Sequence, residues 1–410
     1  MAATLKVLMM GGRSCGKTSL LAGLLNDLLH GAIKSHLSAS DITDTADGQR
    51  SLEELIQEAK KMLVEKCGKT VLQQGQSTNS INTYTIRLYI PQTPNKHLEI
   101  EFIDVNGEYY QSGNTRMQEV QELIRRADVC LIAIDTVFMM EAVNPDNHLC
   151  RPTINDRFNL ISDMHSFLSQ IANEQGEKLV LFVPMKCEKW VDEGRTNEIM
   201  RQVETLYATS IYHLKQAGTV TIGILPVQTL GGIHFTEHRE PMICSYTRWL
   251  GLLRSTSPCA VLDECEPPQL RFPDGTVRNI KSSDRIQEDG RALFGTTTVP
   301  SSWFSILEKG YKPVCCDQVV LQTLLFVTQK VINRCNRMVQ NESWLRRTIQ
   351  QLLEGLADIT ASILRFVGMR SLAEELSKFG SIPVHQMEQM LQDLKQKRVL
   401  KQTDKYIKFI

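Results

Sequence analysis

From Leu5 to about Leu252, short apolar runs alternate with longer stretches whose apolar residues recur every three or four positions. The runs Leu5–Met10, Tyr84–Ile90, Leu98–Val105, Val129–Asp135, Lys178–Pro184 and Val220–Val227 predict strands. Several are unbroken, as in Val129-Cys-Leu-Ile-Ala-Ile134, and unbroken runs predict strands covered on both faces. The intervening stretches Lys17–Leu29, Arg116–Arg126, Arg157–Asn173 and Asn197–Gln216 predict helices. Such alternation predicts a doubly wound α/β domain.

Two stretches depart from the simplest version of that domain. Ser51–Cys67 carries Leu52, Leu55, Ile56, Ala59, Met62 and Leu63 at helical spacing, so a helix is expected where a compact domain has a short loop. Ser255–Pro300 is rich in Pro, Gly, Asp, Ser and Thr and reads as a long loop, with a hairpin turning at Pro273-Asp274-Gly275. Beyond it the pattern is helical from Asp317 to Val367, with Val320, Leu324, Val327, Val331 and Cys335 on one face. The last forty or so residues read as two helices followed by two short β-prone runs, the outline of a winged helix. The expected division is a nucleotide-binding-type domain over 1–254 with a helical insertion near 30–77. A loop or insertion over 255–300 follows, and then a helical region over 301–410 that ends in a winged-helix-like module from about 368.

Composition narrows the function classes. Among 410 residues, 46 Lys+Arg balance 46 Asp+Glu, which excludes a bulk polybasic or polyacidic binder. At 42% hydrophobic and 22% charged the chain suits a globular protein and not a disordered one. The eleven cysteines contain no C-x-x-C pair, so no zinc or dithiol site is indicated. Their odd number and scatter predict reduced thiols in the cytoplasm. The N-terminal apolar run is too short for a signal peptide, and no run is long enough for a membrane span.

Gly11-Gly12-Arg13-Ser14-Cys15-Gly16-Lys17-Thr18 matches G-x-x-x-x-G-K-[ST] without a mismatch, between an apolar strand and an amphipathic helix. The glycines let successive N–H groups turn toward a phosphate, and the helix start that includes Ser19 adds its positive end. Lys17 supplies a point charge to the β/γ oxygens and Thr18 a hydroxyl to Mg²⁺. The strand Leu98–Ile103 ends in Asp104, with Gly107 three residues on. Asp104 is a Mg²⁺ candidate, and Gly107 lets its N–H approach a γ-phosphate.

With these residues the chain resembles the P-loop GTPases of the Ras-like and translation-factor (TRAFAC) class over roughly Leu5–Leu252. The resemblance implies GTP/GDP and Mg²⁺ as ligands, and a threonine loop that closes over the metal, for which Thr78 is the choice with Thr83 behind it. Asp135, at the end of the strand Val129–Asp135, reads as a strand-end residue and not as a ligand. The guanine-reading motif of the class corresponds to Met185-Lys186-Cys187-Glu188. Lys186 matches, its stem suited to packing on a base, while Glu188 stands where the class has aspartate and Met185 where it has a polar residue. The departure leaves guanine selectivity open. Pro226-Val-Gln-Thr-Leu-Gly231-Gly232 falls where the class has a short base-contacting loop. More narrowly, the long insertion, the D-x-x-G-E form, this loop and the C-terminal extension resemble the bacterial double-GTPase families of conflict and defence systems.

The class implies a catalytic role for Glu108, which follows Gly107 where a residue orients the attacking water. Arg13 either obstructs a partner's arginine, supplies charge in cis, or points to solvent. Slow hydrolysis, completed by a protein partner or a second GTPase-like subunit, is the expectation. In the C-terminal segment basic residues only slightly outnumber acids, which favours protein docking over nucleic acid. Two other readings stand beside the GTPase switch: an ATPase of similar fold, and a nucleotide-binding scaffold without catalysis.

Overall fold

The computed structural model describes residues 4–31, 38–44, 50–72, 81–90, 93–111, 114–147, 149–239, 260–262, 269–271, 277–279, 301–338 and 407–410. The chain opens with β1 (Thr4–Gly11), α1 (Lys17–His30), β2 (Ser38–Asp41), α2 (Leu52–Glu65), β3 (Thr70–Leu72), β4 (Asn82–Ile90) and β5 (Thr93–Asp104). A 3-10 turn at Gly107–Tyr110 leads into α3 (Met117–Arg126), β6 (Val129–Asp135), α4 (Thr136–Glu141), α5 (Pro152–Asn159), α6 (Ile161–Asn173) and β7 (Lys178–Met185). Next come α7 (Glu188–Asp192), α8 (Thr196–Leu206), α9 (Ala208–Gln216), β8 (Val220–Ile224) and β9 (Ile233–Arg239). The remaining elements are β10 (Ala260–Leu262), β11 (Gln269–Arg271), β12 (Val277–Asn279), β13 (Ser301–Ile306), α10 (Asp317–Met338) and β14 (Lys408–Phe409).

The fold is α/β, built on an eight-stranded sheet of order β14-β8-β7-β6-β1-β5-β4-β2. The central strands β5, β1, β6, β7 and β8 run parallel. β4, β2 and β14 join antiparallel at the two sides. Successive strand side chains point to opposite faces. Val7 and Met9 of β1 therefore enter one core, with Leu20, Leu24, Leu52 and Ile56 of α1 and α2. Leu8 and Met10 enter the other, with Val120, Met164, Phe167, Val203 and Leu214 of α3, α6, α8 and α9. All of β6 and β7 is buried, which is why their sequences are unbroken apolar runs.

The insertion helix is present as α2. Ser51 caps it by accepting from Glu54 N at 3.2 Å while Glu54 takes the Ser51 N–H at 2.9 Å. Two of the expected helices are each divided. Leu160 adopts a left-handed φ of 50° between α5 and α6, and α8 and α9 part at Tyr207, whose buried ring packs 5.0 Å from Phe182. Strands β11 and β12 pair antiparallel on either side of the expected Pro273–Gly275 turn.

The described residues just after the 255–300 stretch pack onto the main body. β13 pairs with both β9 and β3, and Val319, Val320, Leu324 and Leu325 of α10 are buried in the α1-side core. Among the described residues, burial in the same apolar core joins Val319–Phe326 of α10 to α1 and β1. The winged-helix expectation lies outside the described residues apart from 407–410. There Ile407 is buried in the same core and β14 extends the main sheet beside β8. Among the described residues no helix is long and apolar enough to cross a membrane.

Candidate functional site

The turn from β1 into α1 carries the phosphate end of the site. Gly16 has φ 108°, a left-handed conformation that a side chain disfavours, and it delivers Lys17 to the first position of α1. Lys17 is 6% exposed and donates from Nζ to Gly11 O and Gly12 O, each at 3.1 Å. Its ammonium thus lies against the loop carbonyls. Cys15 is buried behind the loop, and burial raises its thiol pKa. Ser19 lies in the first turn of α1.

The end of β5 meets this loop. Thr18 Oγ1 donates to Asp104 Oδ2 at 2.8 Å, and Asp104 is fully buried. A hydroxyl and a carboxylate brought together at a phosphate loop are the hard oxygen donors that suit Mg²⁺. Gly107 comes so close to the loop that a Cβ there would lie 2.3 Å from Arg13 N. The turn is pinned below by Tyr110, whose hydroxyl donates to Met9 O at 3.1 Å. Above it, Arg13 Nη1 donates to Glu108 Oε1 at 2.9 Å. Arg13 therefore reaches the Gly107–Tyr110 turn at Glu108 from an exposed position. Both side chains are about half exposed, so the pair contributes at most about 1 kcal/mol to stability. Thr78 lies outside the described residues; Thr83 is in β4, opposite Ile103.

The other end of the site is assembled from distant segments. Lys186, just after β7, has φ 56°, rare for a residue with a side chain. Its Nζ donates to Ser14 O at 2.7 Å and pairs with Asp135 at the end of β6. Glu188 is 1% exposed, and its Oε1 accepts from Leu230 N and Gly231 N, each at 3.3 Å. Burial raises its carboxyl pKa, against the backbone hydrogen bonds that lower it. The sequence placed Glu188 as a base reader; the structure fastens it to the neighbouring loop.

That loop is itself held by the segment before α10. Gln228 N donates to Val314 O at 3.1 Å and Val314 N to Gln228 O at 2.9 Å. Lys312 N donates to Leu230 O at 3.0 Å and Leu307 N to Gly232 O at 2.8 Å. Asp192, at the end of α7, accepts from His234 Nε2 at 2.7 Å, Lys309 Nζ at 2.8 Å and Gln228 Nε2 at 3.3 Å. At the far end of α1, Asp27 Oδ2 accepts from Cys316 N at 3.2 Å. Burial and the nearby Asp317 charge push the Asp27 pKa up to about 7.

Asp135 is the strand end that the sequence indicated, but the sequence did not show its ion pair with Lys186 or the two asparagines behind it, Asn155 and Asn159. A signal was available: Asn155 and Asn159 stand four apart, on one face of the helix that follows Pro152.

A family model described as Double-GTPase 2 matches residues 7–220, just over half of the chain. The match runs from β1 to the start of β8. It contains the phosphate loop, Asp104, Gly107, Lys186 and Glu188, and ends before the 226–232 loop. No curated protein matches the chain.

Proposed function

Because the chain belongs to the Double-GTPase 2 family, we propose that it is a cytoplasmic guanine-nucleotide switch that binds GTP with Mg²⁺ and hydrolyses it slowly. The observation that carries this reading is the convergence of Thr18, Asp104 and Gly107 on one phosphate loop. Lys17 and the loop N–H groups neutralise and orient the β- and γ-phosphates. Thr18 and Asp104 would hold Mg²⁺, which would supply positive charge to the phosphates. Gly107 N–H approaches the γ-phosphate, and Glu108 orients water. Arg13 supplies positive charge beside Glu108 and offsets the repulsion between that carboxylate and the phosphate. Lys186 lays its stem along the base. The helical C-terminal region reports the bound nucleotide to a protein partner or a second GTPase-like subunit, in a conflict or defence system of the bacterial type.

One observation favours a second reading, an NTPase of the same fold without guanine selectivity. Glu188 spends a carboxylate oxygen on Leu230 N and Gly231 N, where the GTPase class has an aspartate that reads the base. Isothermal titration with non-hydrolysable GTP and ATP analogues, with and without Mg²⁺, separates the two. The switch reading expects the GTP analogue to bind at least about tenfold tighter, a difference of about 1.4 kcal/mol. Equal affinities establish the second reading, and no binding of either overturns both.

A further inference from the structure

The geometry points to Asp135 as the positioning residue that sets Lys186 for nucleotide binding, held in turn by Asn159. This rests on the reading of the site as a guanine-nucleotide site and names what organises its base end.

The Lys186 side chain is 10% exposed and that of Asp135 is 3% exposed. An ammonium so enclosed requires a counter-charge, and Asp135 faces it directly. The other Lys186 hydrogen bond goes to Ser14 O in the phosphate loop, at 2.7 Å. The lysine therefore spans from the end of β7 to the phosphate loop, with its head fixed at both partners. Its left-handed backbone, φ 56°, is a conformation that persists only where the surroundings dictate it.

Asp135 is itself clasped. Asn159 Oδ1 accepts from Asp135 N at 2.7 Å, and Asn159 Nδ2 donates to Asp135 O at 3.1 Å. Asn159 Nδ2 also donates to Asn155 Oδ1 at 2.7 Å, so both asparagines of α5 face this strand end. All three residues are at most 2% exposed. The same helix reaches the phosphate loop, for a Cβ on Gly12 would lie 1.8 Å from Phe158 O. One buried polar chain thus runs from α5 through Asp135 and Lys186 to Ser14. Each link in it is a hydrogen bond or an ion pair between buried or partly buried groups, and such a network specifies one geometry.

Asp135 has a second task, and the two can be separated. Its Oδ1 accepts from Val137 N at 3.1 Å and caps α4. Asparagine caps a helix as well as aspartate does, so Asp135→Asn removes the charge and keeps the cap.

The test is the affinity of a fluorescent GDP analogue for full-length wild type, Asp135→Asn, Lys186→Met and the double variant, beside thermal unfolding without nucleotide. Asp135→Asn and Lys186→Met are each expected to weaken binding about tenfold or more, and the double variant to be no weaker than Lys186→Met alone. The melting temperature of Asp135→Asn stays within a few degrees of wild type. Asn159→Ser, which touches no charge, gives a smaller loss that vanishes in the Lys186→Met background and serves where Asp135→Asn does not fold. Wild-type affinity in Asp135→Asn, or losses that multiply in the double variant, overturns the assignment alone. A wild type that binds no guanine nucleotide overturns the switch reading itself.

Discussion

The two ends of the site are built in opposite ways. The phosphate end is local: one strand, one loop and one helix within Thr4–His30, met by the single turn after Asp104. It is built chiefly from loop backbone, Lys17 and the Thr18–Asp104 pair, so few residue types satisfy it. The base end joins β6, α5, β7, α7, the 228–232 loop and the segment 307–316 through side chains buried across long sequence separations. Strict local chemistry leaves a strict motif, while a site shared among distant segments can trade one side chain for another. The clean match at Gly11–Thr18 and the altered Met185–Glu188 run fall on the two sides of that difference.

The comparison breaks most sharply at Lys17. Lys17→Ala is expected to weaken triphosphate binding at least about 100-fold, about 2.7 kcal/mol, by isothermal titration, with the fold retained. A loss of only a few-fold would show that the phosphate end is not dominant.

Asp27 tests the link between the ends, because it lies on the phosphate-loop helix and holds the base-end segment at Cys316 N. Its folded pKa of about 7 exceeds the ordinary aspartate value of 3.8. The folded chain therefore holds the proton more tightly than the unfolded chain. The resulting stability is fully present below about pH 4 and is lost as pH rises through about 7. Asp27→Asn, which keeps an acceptor for Cys316 N, is expected to flatten this slope. It should be more stable than wild type at pH 8 by about 2 kcal/mol, with little difference at pH 4. Urea unfolding at the two pH values measures it.

A smaller effect belongs to Glu188. Glu188→Ala leaves the Leu230 and Gly231 N–H groups without their acceptor and is expected to cost about 1–3 kcal/mol of stability. If Glu188 is an anchor, the ratio of GTP to ATP analogue affinity stays unchanged; a collapse of that ratio would make it a base reader. The smallest stability change is expected for Arg13→Ala, under about 1 kcal/mol because the Arg13–Glu108 pair is exposed. Single-turnover hydrolysis in the same variant should fall about tenfold through lost positive charge. An unchanged rate would remove Arg13 from the chemistry.

Much of this site was legible in the sequence, and the division follows the same line. The unbroken run Val129–Ile134 announced a buried parallel strand, and Asp104 and Gly107 announced their place by following one. Asp135 was read as a plain strand end because its partner lies fifty-one residues away, and no local pattern marks an ion pair across two strands. Glu188 looked available to a base because the sequence does not show that the 230–231 backbone turns onto it. The unity of α10 with the first core was hidden for the same reason. A linker of turn-prone residues precedes it, and only packing reveals that Val320 and Leu324 share a core with α1.

The most direct test of the contrast is hydrogen–deuterium exchange of the wild-type protein, with GDP bound and with a non-hydrolysable GTP analogue bound. The account predicts that protection differs between the two states at Asp104–Tyr110, where the turn meets the γ-phosphate, and is the same in both at 228–232 and 307–316. Identical exchange at Asp104–Tyr110 in the two states would contradict it.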